Sequence, residues 1–457
     1  MAPVTENVRQ RIGKDVAKQV SAEDVRRAHQ RVQAMLSEPL AEDAAVQIAL
    51  LNNRGLQASY NDLGVSEAEY VQASLPPNPV LSVERTFGTA TVGFGTFAGL
   101  GLGLVGNLLA YATLPRRTEI AKREFEEARY RAVATTLAFA VDVRRAWVRA
   151  VAAQQRLGIL EQARHTADAS AAMMKQLGET GGANKLDQGR VAAFYAELSA
   201  QVGLARLLVQ REREALTRLL GVWGADIEYK LPAALPALPA APESMADVEK
   251  EAMRRRVDLL ILRYEIETLA KSVGFVNATR YVTFLQLGGV YTNEFEQEGG
   301  PSPTIVNRGG LDLAVAIPIF DTGKARLTAA QEIYMRAINR LAERSVNARS
   351  EARAAYTAYR ASYDIARYYQ TRIVPLRRQN SAEALLRYNG MLIDVFELLI
   401  EERERISASL ASQDELRDYY LADADLQASL IVGGTVPPSG VINTTPAPET
   451  IPLGISQ

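Results

Sequence analysis

His29 and His165 are the only histidines in the chain, and so the only side chains whose ordinary pKa suits proton transfer near neutrality. They lie far apart in different helical surroundings. With no cysteine anywhere, no thiolate is available as nucleophile or metal ligand. The chain has no His-Glu-x-x-His pair, no phosphate-cradling glycine loop ending in lysine, and no nucleophile elbow. Both histidines read as solvated or structural. Glu401-Glu402-Arg403-Glu404-Arg405 is the densest charge run and reads as a solvated helix face. The expectation is a protein that is not an enzyme and needs no cofactor and no metal.

Composition narrows the class. The 457 residues are 47% hydrophobic, and 52 Lys plus Arg stand against 53 Asp plus Glu. There is no basic field to attract a phosphate backbone, so nucleic acid is not an expected partner. The lack of cysteine excludes disulfides and suits an oxidising envelope without proving that location. Met1 to Asp24 is polar and has no apolar core of the roughly 7–15 residues of a secretory signal.

From Thr86 to Pro115 no charged residue occurs. Val92, Phe94, Thr96, Ala98, Leu100, Leu102 and Leu104 share one parity, and Gly93, Gly95, Phe97, Gly99, Gly101 and Gly103 the other. A period of two predicts a strand with one apolar and one almost bare face, and glycine at this density disfavours a helix. Such a strand suits a membrane barrel or a soluble core equally. Leu81, Val83 and Arg85 read as its partner, within a pair over 79–113. A second pair is expected over 281–320, from Tyr281–Phe295 and Leu311–Phe320, with Glu294 to Arg308 as an exposed loop. Each strand has the about nine to eleven residues that cross a bilayer, but four strands cannot close a barrel, so strands in lipid would require an oligomer.

The strand pairs head two similar halves. Leu102-Gly103-Leu104 corresponds to Leu311-Asp312-Leu313, Arg117 to Arg326, Ala121 to Ala330, Ala128 to Ala337, Arg144 to Arg353 and Gly181 to Gly390, all at an offset of 209 residues. This is duplication of a large unit. Long helices follow each pair, Arg116 to Leu177 and Lys324 to Tyr388, on the order of 90–100 Å each, with Pro375 interrupting the second. Ile338, Leu341, Ser345, Ala348, Ala352, Ala355, Tyr359, Ser362, Ala366 and Tyr369 form a heptad seam of mostly small residues, which a soluble coiled coil would explain equally. Glycine turns at Gly178–Gly182 and Asn389-Gly390 lead into returning helices, Lys185 to Leu220 and Leu392 to Leu430, roughly 50–60 Å each. Helices over Glu42 to Ala73 and Met245 to Ala278 supply the remaining length. The expected organisation is an N-terminal segment (1–40), a first repeat (41–230), a Pro/Ala-rich linker (231–244), a second repeat (245–432) and a disordered Pro-rich tail (433–457).

Four stretches in this order resemble the outer-membrane efflux proteins of the TolC family: Ala44-Ala-Val-Gln-Ile-Ala-Leu-Leu-Asn-Asn53, Gln72-Ala-Ser-Leu-Pro-Pro-Asn-Pro-Val-Leu81, Ile317-Pro-Ile-Phe-Asp321 and Tyr388-Asn-Gly-Met-Leu-Ile-Asp-Val-Phe-Glu397. The resemblance covers about Leu40 to Val432. It implies a mainly α fold with a membrane β part, a homotrimer whose four strands per chain make a twelve-stranded barrel set in outer-membrane lipid, and a periplasmic tunnel of coiled helices. A periplasmic adaptor of the membrane fusion type would dock on the helical turns Gly181, Gly182, Asn389 and Gly390, and an inner-membrane pump, of the RND type, would supply energy. The protein would be a passive exit duct for small molecules such as drugs or metal ions. A duct for secreted proteins and a soluble coiled-coil scaffold are the alternatives. Asp394 and Glu397 match the acidic residues that narrow the family's entrance. They could form lumen rings, or Asp394 could simply cap a helix. Asp187 is their first-half counterpart. Tyr388 matches a gate tyrosine, but Tyr388-Asn389-Gly390 is one residue shorter than the family's Tyr-x-x-Gly, which weakens that role. The family's signal peptide and lipidated cysteine are missing from this sequence. An export signal is therefore expected upstream of Met1, and a mature chain found in the cytosol beginning at Met1 would contradict the channel reading.

Overall fold

The computed structural model describes residues 1–89, 96–296 and 304–433, is mainly helical (73%), and divides into two compact units. Val92 to Gly95, the tip of the loop between the later strands and the expected tail beyond Gly433 lie outside the described residues.

One unit, Asp62–Arg129 with Leu260–Glu343 among its described parts, holds the sheet. Its strands β1 (Val80–Thr89), β2 (Thr96–Asn107), β3 (Leu285–Glu296) and β4 (Thr304–Val315) pair antiparallel in the order β1-β2-β3-β4. Register follows the hydrophobic pattern. Leu81 faces Leu104, which faces Gly289, which faces Leu311; one level further, Val83, Leu102, Tyr291 and Gly309 align. One face thus gathers Leu81, Val83, Phe87, Leu100, Leu102, Leu104, Leu287, Leu311 and Leu313, all exposed. The other gathers Glu84, Gly101, Thr292 and Arg308 on one level and Thr86, Gly99 and Glu294 on the next.

Four sequence expectations change here, the first being that β3 begins at Leu285 and not at Tyr281. Helix α5 (Leu108–Glu179) begins eight residues before Arg116, because the Asn107 side chain caps it, Oδ1 accepting from Ala110 N at 2.9 Å, and Pro115 is absorbed near its start. The later strands reach into the expected loop: Glu294 to Glu296 belong to β3 and Thr304 to Arg308 to β4, because backbone pairing overrides polar side chains that face water. At its other end β4 stops at Val315 and not at Phe320, since Pro318 has no N–H to give a ladder. Helices α4 (Arg54–Ser74), α8 (Val257–Thr279) and α9 (Lys324–Tyr368) adjoin the strands in sequence. Within this unit Tyr70 stacks on Phe125 at 5.9 Å, and Arg123 pairs with Glu267 at 3.2 Å.

The other unit, Met1–Asn61, Tyr130–Leu259 and Arg344–Thr435, is helical. Helices α1 (Ala2–Ile12) and α2 (Ala22–Leu36) precede α3 (Glu42–Asn52), and Trp147 of α5 donates from Nε1 to Leu40 O at 2.7 Å. Each half breaks its first helix at one extended residue: Asn53 between α3 and α4, Arg256 between α7 (Val248–Arg255) and α8. Each break caps a returning helix. Asn52 and Asn53 donate to the carbonyls of Leu219, Leu220 and Gly221 at the end of α6 (Lys185–Leu220), and Arg256 donates to Ser429 O near the end of α11 (Val395–Ile431). These carbonyls lie in the last turns of their helices, where intrahelical donors run out, and the break residues supply the missing ones. Gly221 makes the first of these contacts possible: its φ of 67° is left-handed, and a Cβ there would lie 3.1 Å from Asn53 Cα.

Arg256 is fully buried and bonded to Asp258, also buried, while Arg344 reaches Asp258 at 2.6 Å and Glu351 pairs with both arginines. The linker over 231–244 is held by tyrosine hydroxyls. Tyr363 donates to Pro239 O and Ala240 O, Tyr420 to Ala237 O, and Tyr359 accepts from Glu243 N. A proline-rich strand has few donors of its own, and these hydroxyls satisfy its carbonyls. In the second long helix the interruption expected at Pro375 is a wide turn, Tyr369–Ile373, immediately before α10 (Val374–Asn389). The small-residue seam is buried at Ala348, Ala352, Tyr359 and Ala366.

Removing one member of the buried charge network leaves its partners uncompensated, a loss of about 3–5 kcal/mol. Asp258→Ala is expected to lower the thermal unfolding midpoint clearly, whereas Asp247→Ala, which breaks an exposed pair with Lys250, changes it little.

Candidate functional site at the helical turns

The sequence-predicted site residues gather where α5 turns into α6 and α10 into α11. The two hairpins pack together through Met174, Val191 and Val395, with Leu177, Ala183, Tyr388 and Leu399 against them. Tyr388 lies in this contact, partly buried, its hydroxyl 3.8 Å from Met174 Sδ. It fastens one hairpin to the other.

Both turns close in the same way. Gly182 N donates to Leu177 O at 2.8 Å, and Leu392 N to Arg387 O at 2.9 Å, the six-residue loop that ends a helix when the residue before the donor is left-handed. In the first turn that residue is Gly181, φ 77°. In the second it is Met391, φ 57°, while Gly390 has φ −80°. The second turn is thus closed by a methionine and not by the glycine that marks it in the sequence. The turns correspond at an offset of 210, not 209, from the acceptor (Leu177, Arg387) to the donor (Gly182, Leu392), so the extra residue of the second half lies before Arg387. Met391 is the only non-glycine residue with positive φ among the described residues, and it is 93% exposed. Gly181, Gly182, Asn389 and Gly390 are exposed with it.

The same shift assigns the acids. Asp394 is the N-cap of α11, Oδ1 accepting from Glu397 N at 2.9 Å. At the corresponding place in α6 stands Asn184, whose Oδ1 accepts from Asp187 N at 2.8 Å. Asp187 therefore corresponds to Glu397, and Asn184 to Asp394. Asp394 and Glu397 are exposed. Asp187 is half-buried and engaged by Asn184 Nδ2 at 2.7 Å and Arg190 at 3.4 Å. Arg190 in turn lies 4.8 Å above the Phe396 ring, coupling α6 to α11 beside the acids. Asn184, Arg190, Phe396 and Met391 were not singled out from sequence, although Asn184-x-x-Asp187 and Asp394-x-x-Glu397 share a capping pattern that would have found the first.

The Glu401–Arg405 run is more engaged than a solvated face. Arg377 of α10 reaches Glu404 at 2.9 Å, Arg403 reaches Glu197 of α6 at 2.8 Å, and Glu402 accepts from Ser381 at 2.9 Å. The bond to Glu402 also raises the Arg405 guanidinium above its ordinary value. No group of three or more His, Asp or Glu able to hold a metal occurs among the described residues, and no described helix is long and apolar enough to cross a membrane.

Residues 45–222 match the family model described as outer membrane efflux protein, a family of channels and not of enzymes. No curated protein matches the chain. Among solved structures, a membrane protein from Pseudomonas aeruginosa superposes with TM-score 0.72 at 20% identity, covering 85% of this chain and 93% of that one. The outer membrane protein VceC of Vibrio cholerae gives 0.70 at 17%, covering 89% and 98%, and the Campylobacter jejuni CmeC outer membrane channel 0.70 at 15%, covering 92% and 89%. At these identities the likeness is one of fold.

The two turns test the assignment of the left-handed residue. Met391→Gly relieves a conformation that costs an L-residue about 1–2 kcal/mol, part of which is offset by the freer unfolded chain. Gly181→Ala imposes that cost in otherwise open space. Hydrogen exchange at the last turn of α10 is expected to slow with Met391→Gly, and at the last turn of α5 to quicken with Gly181→Ala. Gly390→Ala should have little effect.

Proposed function

We propose, from the premise that this chain is an outer membrane efflux protein of the TolC type, recognised by its sequence over residues 45–222 and by its fold, that it is the exit duct of a tripartite efflux system. Three copies close their sheets into one twelve-stranded barrel in the outer membrane, and the helices continue it as a periplasmic tunnel built from two repeats, 41–230 and 245–432. The observation that carries this reading is the sheet itself: four strands with one exposed apolar face and two unpaired edges, β1 and β4. In lipid such edges are tolerated only when a closed barrel removes them.

In this arrangement the turns at Gly181-Gly182 and Asn389 to Leu392 form the end that docks a periplasmic adaptor, behind which stands an inner-membrane pump, of the RND type. Support comes from the exposure of Met391 and Leu392, apolar residues that a folded chain does not normally leave at a tip. Small molecules, drugs or metal ions, pass without chemistry. Three copies each of Asp394 and Glu397 ring the entrance, with Asp187 held back by Arg190.

Because Asp394 also caps α11, charge and cap must be separated. Asp394→Asn keeps an oxygen for Glu397 N while removing charge, and Glu397→Gln removes the second. The trimer carrying both is expected to lose cation selectivity, and block by multivalent cations, in planar bilayers, with a smaller effect from Asp187→Asn. Unchanged selectivity with normal trimer content would reduce the acids to caps.

A further inference from the structure

We infer that Arg85, assisted by the amide of Asn307, binds the phosphate of an anionic lipid on the apolar face of the sheet. The inference rests on the reading that this face meets lipid.

Level by level, this face is apolar except once. Leu81, Leu104, Gly289 and Leu311 align, then Val83, Leu102, Tyr291 and Gly309; the next level is Arg85, Leu100, Asn293 and Asn307; beyond it stand Phe87, Ala98, Phe295 and Ile305. A charge in such a row needs a partner, and among the described residues its own face offers no carboxylate. Among the described strand residues, Glu84, Glu294, Glu296 and Asp312 all fall at register positions of the opposite face, where Glu294 is taken by Arg308 at 3.2 Å. Closing the sheet against a second copy brings β4 beside β1, and the β4 residues on this face, Ile305, Asn307, Gly309, Leu311, Leu313 and Val315, include no acid. Among the described residues Arg85 contacts Phe87, whose ring lies 4.7 Å from the guanidinium carbon.

A second donor stands on the same level. Asn307 Oδ1 accepts from Tyr291 Oη at 2.9 Å and from Asn293 Nδ2 at 2.6 Å, so the Asn307 amide nitrogen is turned away from both. The level also lies between aromatic residues, Tyr291 on the helix side and Phe87 and Phe295 on the loop side, as at the girdle of a membrane barrel where headgroups begin. A charge is costly at the bilayer centre and cheap at this depth. What lies there is lipid phosphate, an anion whose geometry matches the forked guanidinium donors.

The test uses the full-length protein in phosphatidylcholine nanodiscs containing a minor fraction of phosphatidic acid, with the lipids retained by the released protein counted by native mass spectrometry. Wild type is expected to retain phosphatidic acid over phosphatidylcholine, up to three per trimer, and inorganic phosphate should not displace it. Arg85→Gln should weaken retention about ten-fold, the effect of losing one charge-assisted contact, and Arg85→Lys should keep part of it. Equal retention by wild type and Arg85→Gln overturns the site, and displacement by inorganic phosphate reassigns it to a free ion. Failure of the protein to enter nanodiscs at all would instead overturn the membrane reading beneath it.

Discussion

A four-stranded antiparallel sheet whose one face is exposed and apolar, and whose two edge strands are unpaired, cannot stand alone in water or in lipid. In water the face and edges invite aggregation, and in lipid each unmatched N–H and C=O is expensive. The rest of the chain can be read as meeting this constraint. Duplication supplies two hairpins of matched register, and long helices leave each hairpin. The half-helices that return are capped by side chains at the break of another helix.

Those caps show how a repeat is kept while its chemistry changes. In the first half the break residues are amides, Asn52 and Asn53, and Gly221 allows the backbones to approach. In the second half Arg256 performs the capping and brings a buried network with Asp258, Arg344 and Glu351. Gly433, φ 75°, matches Gly221 in leaving space, since a Cβ there would collide with the Asp258 carboxylate. Amides need no counter-charge; an arginine does, which accounts for the extra acids.

Periodicity made much of this legible. The glycine-alternating run from Leu100 to Leu104 fixed one strand's facing, the heptad of small residues located the buried seam of α9, and the glycine turns marked where the long helices end. What escaped the sequence was decided by single contacts. Asn107 starts α5 early because its side chain can cap, Pro318 ends β4 because it lacks a donor, and Met391 takes a left-handed conformation that residue type would have assigned to Gly390. A repeat offset read from matching letters also missed the residue added before the second turn, and with it the equivalence of Asn184 to Asp394. At the turns, type and spacing found Asp394, Glu397 and Asp187, but not the Arg190–Phe396 contact, which forms across helices far apart in sequence.

Closure of the sheet between copies is the claim on which the channel reading turns, and the absence of cysteine makes it directly measurable. Single cysteines placed along β1, at Leu81, Val83 and Phe87, can be combined with single cysteines along β4, at Gly309, Leu311 and Leu313, and oxidised in detergent. Within one chain these edges are three strand spacings apart, about 14 Å, too far for a disulfide. Closure predicts that at least one combination yields covalent dimers and trimers that resist denaturation and revert on reduction. Monomers throughout, with the protein folded and each thiol accessible, would contradict it.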